Sequence, residues 1–147
     1  MTAGATAPRR LYLDTSAYLA ILLGEEGSDR LSQSTAGAEV LSSVLLILET
    51  RRNLIRLARD GTLKPAQYEA CMNRIDEDIA LFELRDLTLD LCASNVLPPI
   101  ATPRSLDLAH LRTALWFHAQ SPIERFVTMD GAQAQAAKEL GLPTAAP

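Results

Sequence analysis

The sequence predicts an α/β fold in which a parallel sheet is covered on both faces by helices. Three observations predict it. Short apolar or β-favouring runs alternate with longer segments of helical period. The first run, Leu11-Tyr12-Leu13, leads directly into Asp14-Thr15-Ser16, residue types that open helices. Glycine or proline punctuates most of the junctions between segments.

Taken in order, the elements justify themselves locally. The helix after Asp14 carries Tyr18, Leu19, Leu22 and Leu23 on an apolar side and stops near Gly24. Glu25 to Thr35 reads as a second, more polar helix, and Ala38 to Ser42 as a second strand. A long helix over Val44 to Arg59 closes at Asp60-Gly61, where glycine can take the left-handed conformation. Pro65 suits a first helical turn, so Ala66 to Ile79 completes a protruding helical hairpin. Leu81 to Leu84 is expected as a short strand, and Thr88 to Val96 as a helix broken by Pro98-Pro99. Thr102-Pro103 opens a helix through Leu106, Leu111, Leu115 and Trp116 to about Ala119. Arg125 to Thr128 is a strand, Asp130 to Leu140 a helix closed by Gly141, and Leu142 to Thr144 a last edge strand.

A chain of 147 residues suits one domain, expected over 10–147 behind a loose arm at 1–9. Cys71 and Cys92 share no paired spacing, which argues against a disulfide framework or a zinc site and favours a reducing cytoplasm. Asp14, Thr15 and Ser16 interrupt the first apolar stretch, so no signal or membrane segment is expected. Lys+Arg of 14 against Asp+Glu of 18 gives a net charge of −4, which argues against coating nucleic acid through bulk positive charge, although net charge averages over the whole surface. Only Lys64 and Lys138 are lysines; arginine supplies the rest and clusters at Arg51, Arg52, Arg56 and Arg59. Arginine makes forked contacts to phosphate, although such a cluster equally suits a solvated helix face.

The chemistry resides in four acids. Asp14 and Asp130 each follow a strand, so both belong to the carboxyl edge of the sheet, where α/β folds bind ligands. Glu49 and Asp107 lie on helices whose starts are expected to crowd that edge. Four carboxylates sharing a small volume repel one another unless a cation intervenes, and Mg²⁺ or Mn²⁺ is the oxygen-seeking choice. Each acid also has a plainer reading. Asp14 and Asp130 could cap the following helices, Glu49 could be a surface residue, and Asp107 could be a favourable charge early in a helix. Yet Leu45 and Leu46 place Glu49 beside an apolar stripe, and Asp107 stands between Leu106 and Leu108.

These residues resemble the PIN domains and, among them, the VapC-type toxins of bacterial toxin–antitoxin pairs. Leu11 to Ala17 resembles the family's first strand with its D-T-S-A signature, Leu48-Glu49-Thr50-Arg51-Arg52 its central glutamate segment, and Leu106 to Leu115 its L-D-A-x-H-L-A-T-A-L stretch. Phe126-Val127-Thr128-Met129-Asp130 resembles its F-V-T-x-D strand end. The resemblance implies a PIN-like three-layer α/β/α fold with a central parallel sheet of about five strands. It also implies endoribonuclease activity dependent on Mg²⁺ or Mn²⁺, inhibition by a cognate VapB-like antitoxin, and a homodimer. Two departures stand out: Leu108 replaces a small residue, and Gly131 follows Asp130 where a basic residue is common.

On this reading Asp14, Glu49 and Asp107 bind the metal, and Asp130 completes the site or positions the attacking water. Thr15, Ser16 and Thr128 are expected to orient the carboxylates through hydrogen bonds. Arg51, Arg52, Arg104 and Arg112 are candidate RNA contacts. Because water attacks rather than the RNA 2′-hydroxyl, the products carry 5′-phosphate and 3′-hydroxyl ends. His110 and His118 are read as structural, with a pairing between Asp107 and His110 open, and Leu115, Trp116 and Phe117 as core or dimer contact. The leucine-rich segment from Val44 to Leu57 is expected mainly as core, with a groove for an antitoxin helix as its alternative. Two rival classes are a receiver-like phosphoacceptor domain, which does not account for Glu49 within a helix, and a catalytically inactive PIN-like binding module.

Overall fold

The computed structural model describes residues 7–25, 28–94, 97–101 and 104–144. Residues 1–6 of the expected arm, Val96 at the expected helix end and the Thr102-Pro103 helix start lie outside the described residues. The element order is β1 (Arg10–Leu13), α1 (Thr15–Leu23), α2 (Ser28–Thr35), β2 (Glu39–Ser43), α3 (Leu45–Arg59), α4 (Pro65–Ile79), β3 (Glu83–Arg85), α5 (Leu89–Ala93), α6 (Ser105–Gln120), β4 (Arg125–Val127) and α7 (Gly131–Glu139).

The strands form a parallel sheet in the order β3-β2-β1-β4. Alternation along each strand sorts its side chains to opposite faces. Tyr12, Leu41 and Phe126 pack with Leu111, Ala114 and Phe117 of α6 and with Ala136 and Ala137 of α7. Leu13, Val40 and Val127 pack on the other face with Ala17 of α1 and Leu31 of α2. Helices therefore cover both faces. A third cluster, formed by Tyr18, Leu22, Leu46, Leu54 and Ile75, fixes the α3–α4 hairpin against α1. Leu54 and Ile75 are fully buried there, and each contributes about 1.5–3 kcal/mol of burial. Leu48 and Ile55 on α3 remain exposed, so only part of the leucine-rich segment is core. Of the aromatic pair on α6, Phe117 is core and Trp116 is half-buried beneath the Arg85 guanidinium, 4.5 Å from its ring centre.

Three departures from expectation have local reasons. The second helix begins at Ser28 instead of Glu25, because the Glu25 amide bonds back to the Ala20 carbonyl and closes α1. The third strand begins at Glu83 instead of Leu81, because the Leu81 and Phe82 amides both bond to the Asp78 carbonyl and extend the end of α4. The sheet has four strands among the described residues, instead of about five. Leu142–Thr144 lies beside β4 through the Phe126 amide and the Pro143 carbonyl, 2.6 Å apart, but proline has no amide hydrogen with which to continue a ladder. Among the described residues, no helix is long and apolar enough to cross a membrane.

Gly24 ends α1 with φ 63°, and its amide and that of Glu25 satisfy the last carbonyls of the helix. Gly24→Ala puts a Cβ into the left-handed conformation, so it should lower stability by about 1 kcal/mol in urea unfolding without changing the site.

Candidate active site at the carboxyl edge of the sheet

The sheet order dictates where the site forms. From β1 the chain moves to β2 and then β3 on one side, whereas β4 lies on the other. The loops leaving β1 and β4 therefore diverge, and a crevice opens at the carboxyl ends of these two strands. Asp14 immediately follows β1, and Thr128 to Asp130 follow β4. The Asp14 amide donates to the Val127 carbonyl at 3.1 Å, which extends the strand pairing to the rim of the crevice.

Asp14, Glu49, Asp107 and Asp130 line one cavity of about 250 Å³ together with Thr15, Ser16, Leu19 and Asn53. Capping and convergence are both realised at the strand ends. The Asp14 carboxylate caps α1 by accepting from the Ala17 amide, and the Asp130 carboxylate caps α7 by accepting from the Ala132 and Gln133 amides. Glu49 sits one turn into α3 and Asp107 in the first turn of α6, so both project from helix starts at the crevice.

The hydroxyls beside the cavity hold these acids. Ser16 Oγ donates to Asp14 Oδ1 at 2.7 Å, and Thr128 Oγ1 donates to Asp14 Oδ2 at 2.5 Å. Ser16 Oγ also accepts from the Met129 amide, tying the β1 and β4 loops together. Thr15 Oγ1 donates to Glu49 Oε1 at 2.9 Å. Gln133 Nε2 donates to the Asp107 carbonyl, linking α7 to the first turn of α6. Asn53, one turn beyond Glu49, donates to the Glu49 carbonyl.

Sequence reasoning missed His110 as a member of this site. Its buried ring accepts or donates at both nitrogens: Nδ1 lies 2.8 Å from the Tyr12 hydroxyl, and Nε2 lies 2.9 Å from Glu49 Oε1 and 3.1 Å from Thr15 Oγ1. A carboxylate can only accept, so Nε2 carries the proton toward Glu49; in the neutral imidazole Nδ1 then accepts from Tyr12. The partner of His110 is thus Glu49, and not its sequence neighbour Asp107. The signal available was a histidine one helical turn from an acid, which does not name an acid from another helix. His118, by contrast, accepts from the Ile123 amide and terminates α6.

Acids outnumber the basic groups that act on them at this site. Burial pushes the Asp14 carboxyl above the ordinary aspartate range, against the opposing pull of Ser16, Thr128, the Ala17 amide and His110. Asp107 is likewise raised, first by burial and then by the charges of Asp130 and Glu49, with Arg104 pulling the other way. Among the described residues, no Lys or Arg forms an ion pair with Asp14, Glu49, Asp107 or Asp130. Nor does any hydrogen bond among them reach Glu49 Oε2, Asp130 Oδ2 or the Asp107 carboxylate. These are hard oxygen donors with no Lys or Arg bound to them among the described residues, the donor type that Mg²⁺ and Mn²⁺ prefer. As the side chains stand, however, no three His, Cys, Asp or Glu residues among those described are arranged so that they could hold one ion.

None of the four arginines singled out in the sequence lines the acidic cavity. Arg51 pairs with Asp76 of α4 at 2.9 Å. Arg112 donates to the Ser94 carbonyl and lines an apolar groove between α5 and α6. Arg52 is exposed on α3, and Arg104 precedes α6 close enough to act on Asp107. Compared with protein-family models and with curated proteins, the sequence matches none.

Proposed function

We propose that this chain is a divalent-metal-dependent endoribonuclease of the PIN-domain type, the toxin of a VapBC-type pair. The observation that carries the reading is the meeting of Asp14, Glu49, Asp107 and Asp130 in one cavity at the diverging ends of β1 and β4. Acids from four separate segments gain nothing from sharing a cavity unless something positive belongs among them.

The four carboxylates would hold the cation, drawing together to do so. When bound, Mg²⁺ or Mn²⁺ lowers the pKa of a water and withdraws charge from the phosphodiester. The chain's own groups supply the rest. Ser16, Thr128 and the Ala17 amide fix both oxygens of Asp14. Thr15 and His110 share Oε1 of Glu49 and leave its other oxygen for the cavity. The α7 amides hold one oxygen of Asp130 and leave the second to orient a water for attack on phosphorus. The leaving group is the ribose 3′-oxygen, so the 5′-phosphate stays with the downstream fragment.

An antitoxin partner and a homodimer extend the same reading. Exposed Leu48 and the groove lined by Leu45, Leu87, Leu91 and Leu106 support a helical partner. Free Cys71 and Cys92 suit a reducing cytoplasm.

The test is incubation of the wild type with mixed short RNAs in Mg²⁺, Mn²⁺ or EDTA. Cleavage is expected only with a divalent ion, leaving 5′-phosphate ends. Products with 2′,3′-cyclic phosphate, or equal cleavage in EDTA, would reject the mechanism. Labelling by a small phosphodonor without RNA cleavage would transfer the site to the phosphoacceptor class.

A further inference from the structure

An acidic cavity repels the polyanion it is proposed to cut, so the substrate must be gripped elsewhere. A second groove adjoins the cavity across the β4–α7 loop. Thr128, whose hydroxyl holds Asp14, forms part of its wall, and Met129, the neighbour of Asp130, forms another part. The groove runs along the sheet edge at β4, and Arg30 of α2 and Arg125 of β4 line it with Leu31 and Ser34.

Among the described residues, neither arginine is held in a close ion pair, although the charge of Arg125 is felt by the neighbouring Glu124. Glu124, the acid adjacent to Arg125 in sequence, is held in a forked contact by Arg9 at 2.8 and 3.1 Å. The lining between the two guanidiniums is largely apolar, and Met129 is about half exposed. Two arginines and an exposed methionine in one mainly apolar groove match a nucleotide: guanidinium groups for backbone phosphates and a soft thioether surface for a base.

We propose that this groove is the subsite for the single-stranded RNA flanking the scissile bond, with Arg30 and Arg125 holding its phosphates. The proposal rests on the nuclease reading for its purpose, but its measurement does not need catalysis. Binding of a short fluorescein-labelled single-stranded RNA of mixed sequence is followed by anisotropy, in EDTA and across a salt series. The proteins are wild type, Arg30→Gln, Arg125→Gln, the double variant, and Arg74→Gln as a control whose native side chain pairs with Asp78 and does not line the groove. Unchanged thermal unfolding verifies that each variant is folded. The double variant should bind at least about tenfold more weakly, and its log-log salt slope should fall by about 1.4, the value for two lost single-strand phosphate contacts. Arg74→Gln should bind as wild type does.

Equal affinity and slope in the double variant would overturn the subsite, as would failure of the wild type to bind RNA. If the wild type cleaves RNA while the double variant binds normally, the nuclease reading stands and the groove falls. If the double variant loses binding while the wild type never cleaves, the groove stands as an RNA site and the nuclease reading falls.

Discussion

Asp14→Asn should lose RNA cleavage by about 10²–10³-fold or more while making the protein more stable at neutral pH. The two effects share one cause. Asp14 is almost wholly buried, and burial holds its carboxyl above the ordinary aspartate range. The folded state therefore binds the proton more tightly than the unfolded chain does. Its stabilising contribution is complete below the unfolded aspartate pKa and is lost as pH rises through the raised folded pKa. At neutral pH the buried charge is a net cost. Asparagine keeps an oxygen for the Ala17 amide and the Ser16 hydroxyl and removes that charge, while its Nδ2 donates to Thr128 Oγ1 once that hydroxyl turns to accept. The expected gain in EDTA is on the order of 1 kcal/mol, about 3 °C in thermal midpoint, shrinking as pH falls through the carboxylate range. Added Mg²⁺ or Mn²⁺ should raise the midpoint of the wild type and leave the variant nearly unmoved. A variant that is less stable than wild type at neutral pH, or that cleaves RNA normally, contradicts the account.

That trade between stability and charge explains which parts of the site were legible in the sequence. Asp14 and Asp130 were readable because an acid at a strand end, followed by helix-forming residues, has a fixed place in a parallel α/β fold. Thr15, Ser16 and Thr128 were readable through their nearness in sequence to those acids. The sorting of Tyr12, Leu41 and Phe126 to one face and Leu13, Val40 and Val127 to the other follows from period-two alternation. Arginines were not readable in this way. The partner of Arg51, Asp76, lies on a different helix of the hairpin and is not named by the sequence, and nothing in the sequence singles out Arg30, because the groove it lines exists only once β4 becomes the sheet edge. Among the described residues, the edge strand expected at Leu142 to Thr144 fails on one atom, the absent amide hydrogen of Pro143.

His110 lay hidden for the same reason as Arg30, and it gives the second large effect. Tyr12→Phe should reduce cleavage by about 10–100-fold although its ring never lines the acidic cavity. The ring itself is retained, with its stacking on Phe126 at 5.3 Å between centres. What disappears is the hydroxyl that donates to His110 Nδ1. Without it, a buried ring nitrogen is left unsatisfied, at about 1–3 kcal/mol in stability, and the imidazole keeps its proton on Nε2 but is anchored at that end alone. A ring free to tilt about a single bond holds Glu49 Oε1 less firmly, and Thr15 becomes the carboxylate's remaining fixed donor. Nitrogen chemical shifts of His110 should report an Nε2–H tautomer in both proteins, with the Nδ1 resonance displaced in Tyr12→Phe by the loss of its hydrogen bond. Leu111→Val, a core change in the same helix with comparable loss of stability, should leave both the Nδ1 resonance and the cleavage rate unchanged. If Leu111→Val and Tyr12→Phe lose activity in proportion to stability alone, then Tyr12 and His110 are only packing, and Glu49 is oriented by α3 and Thr15 without them.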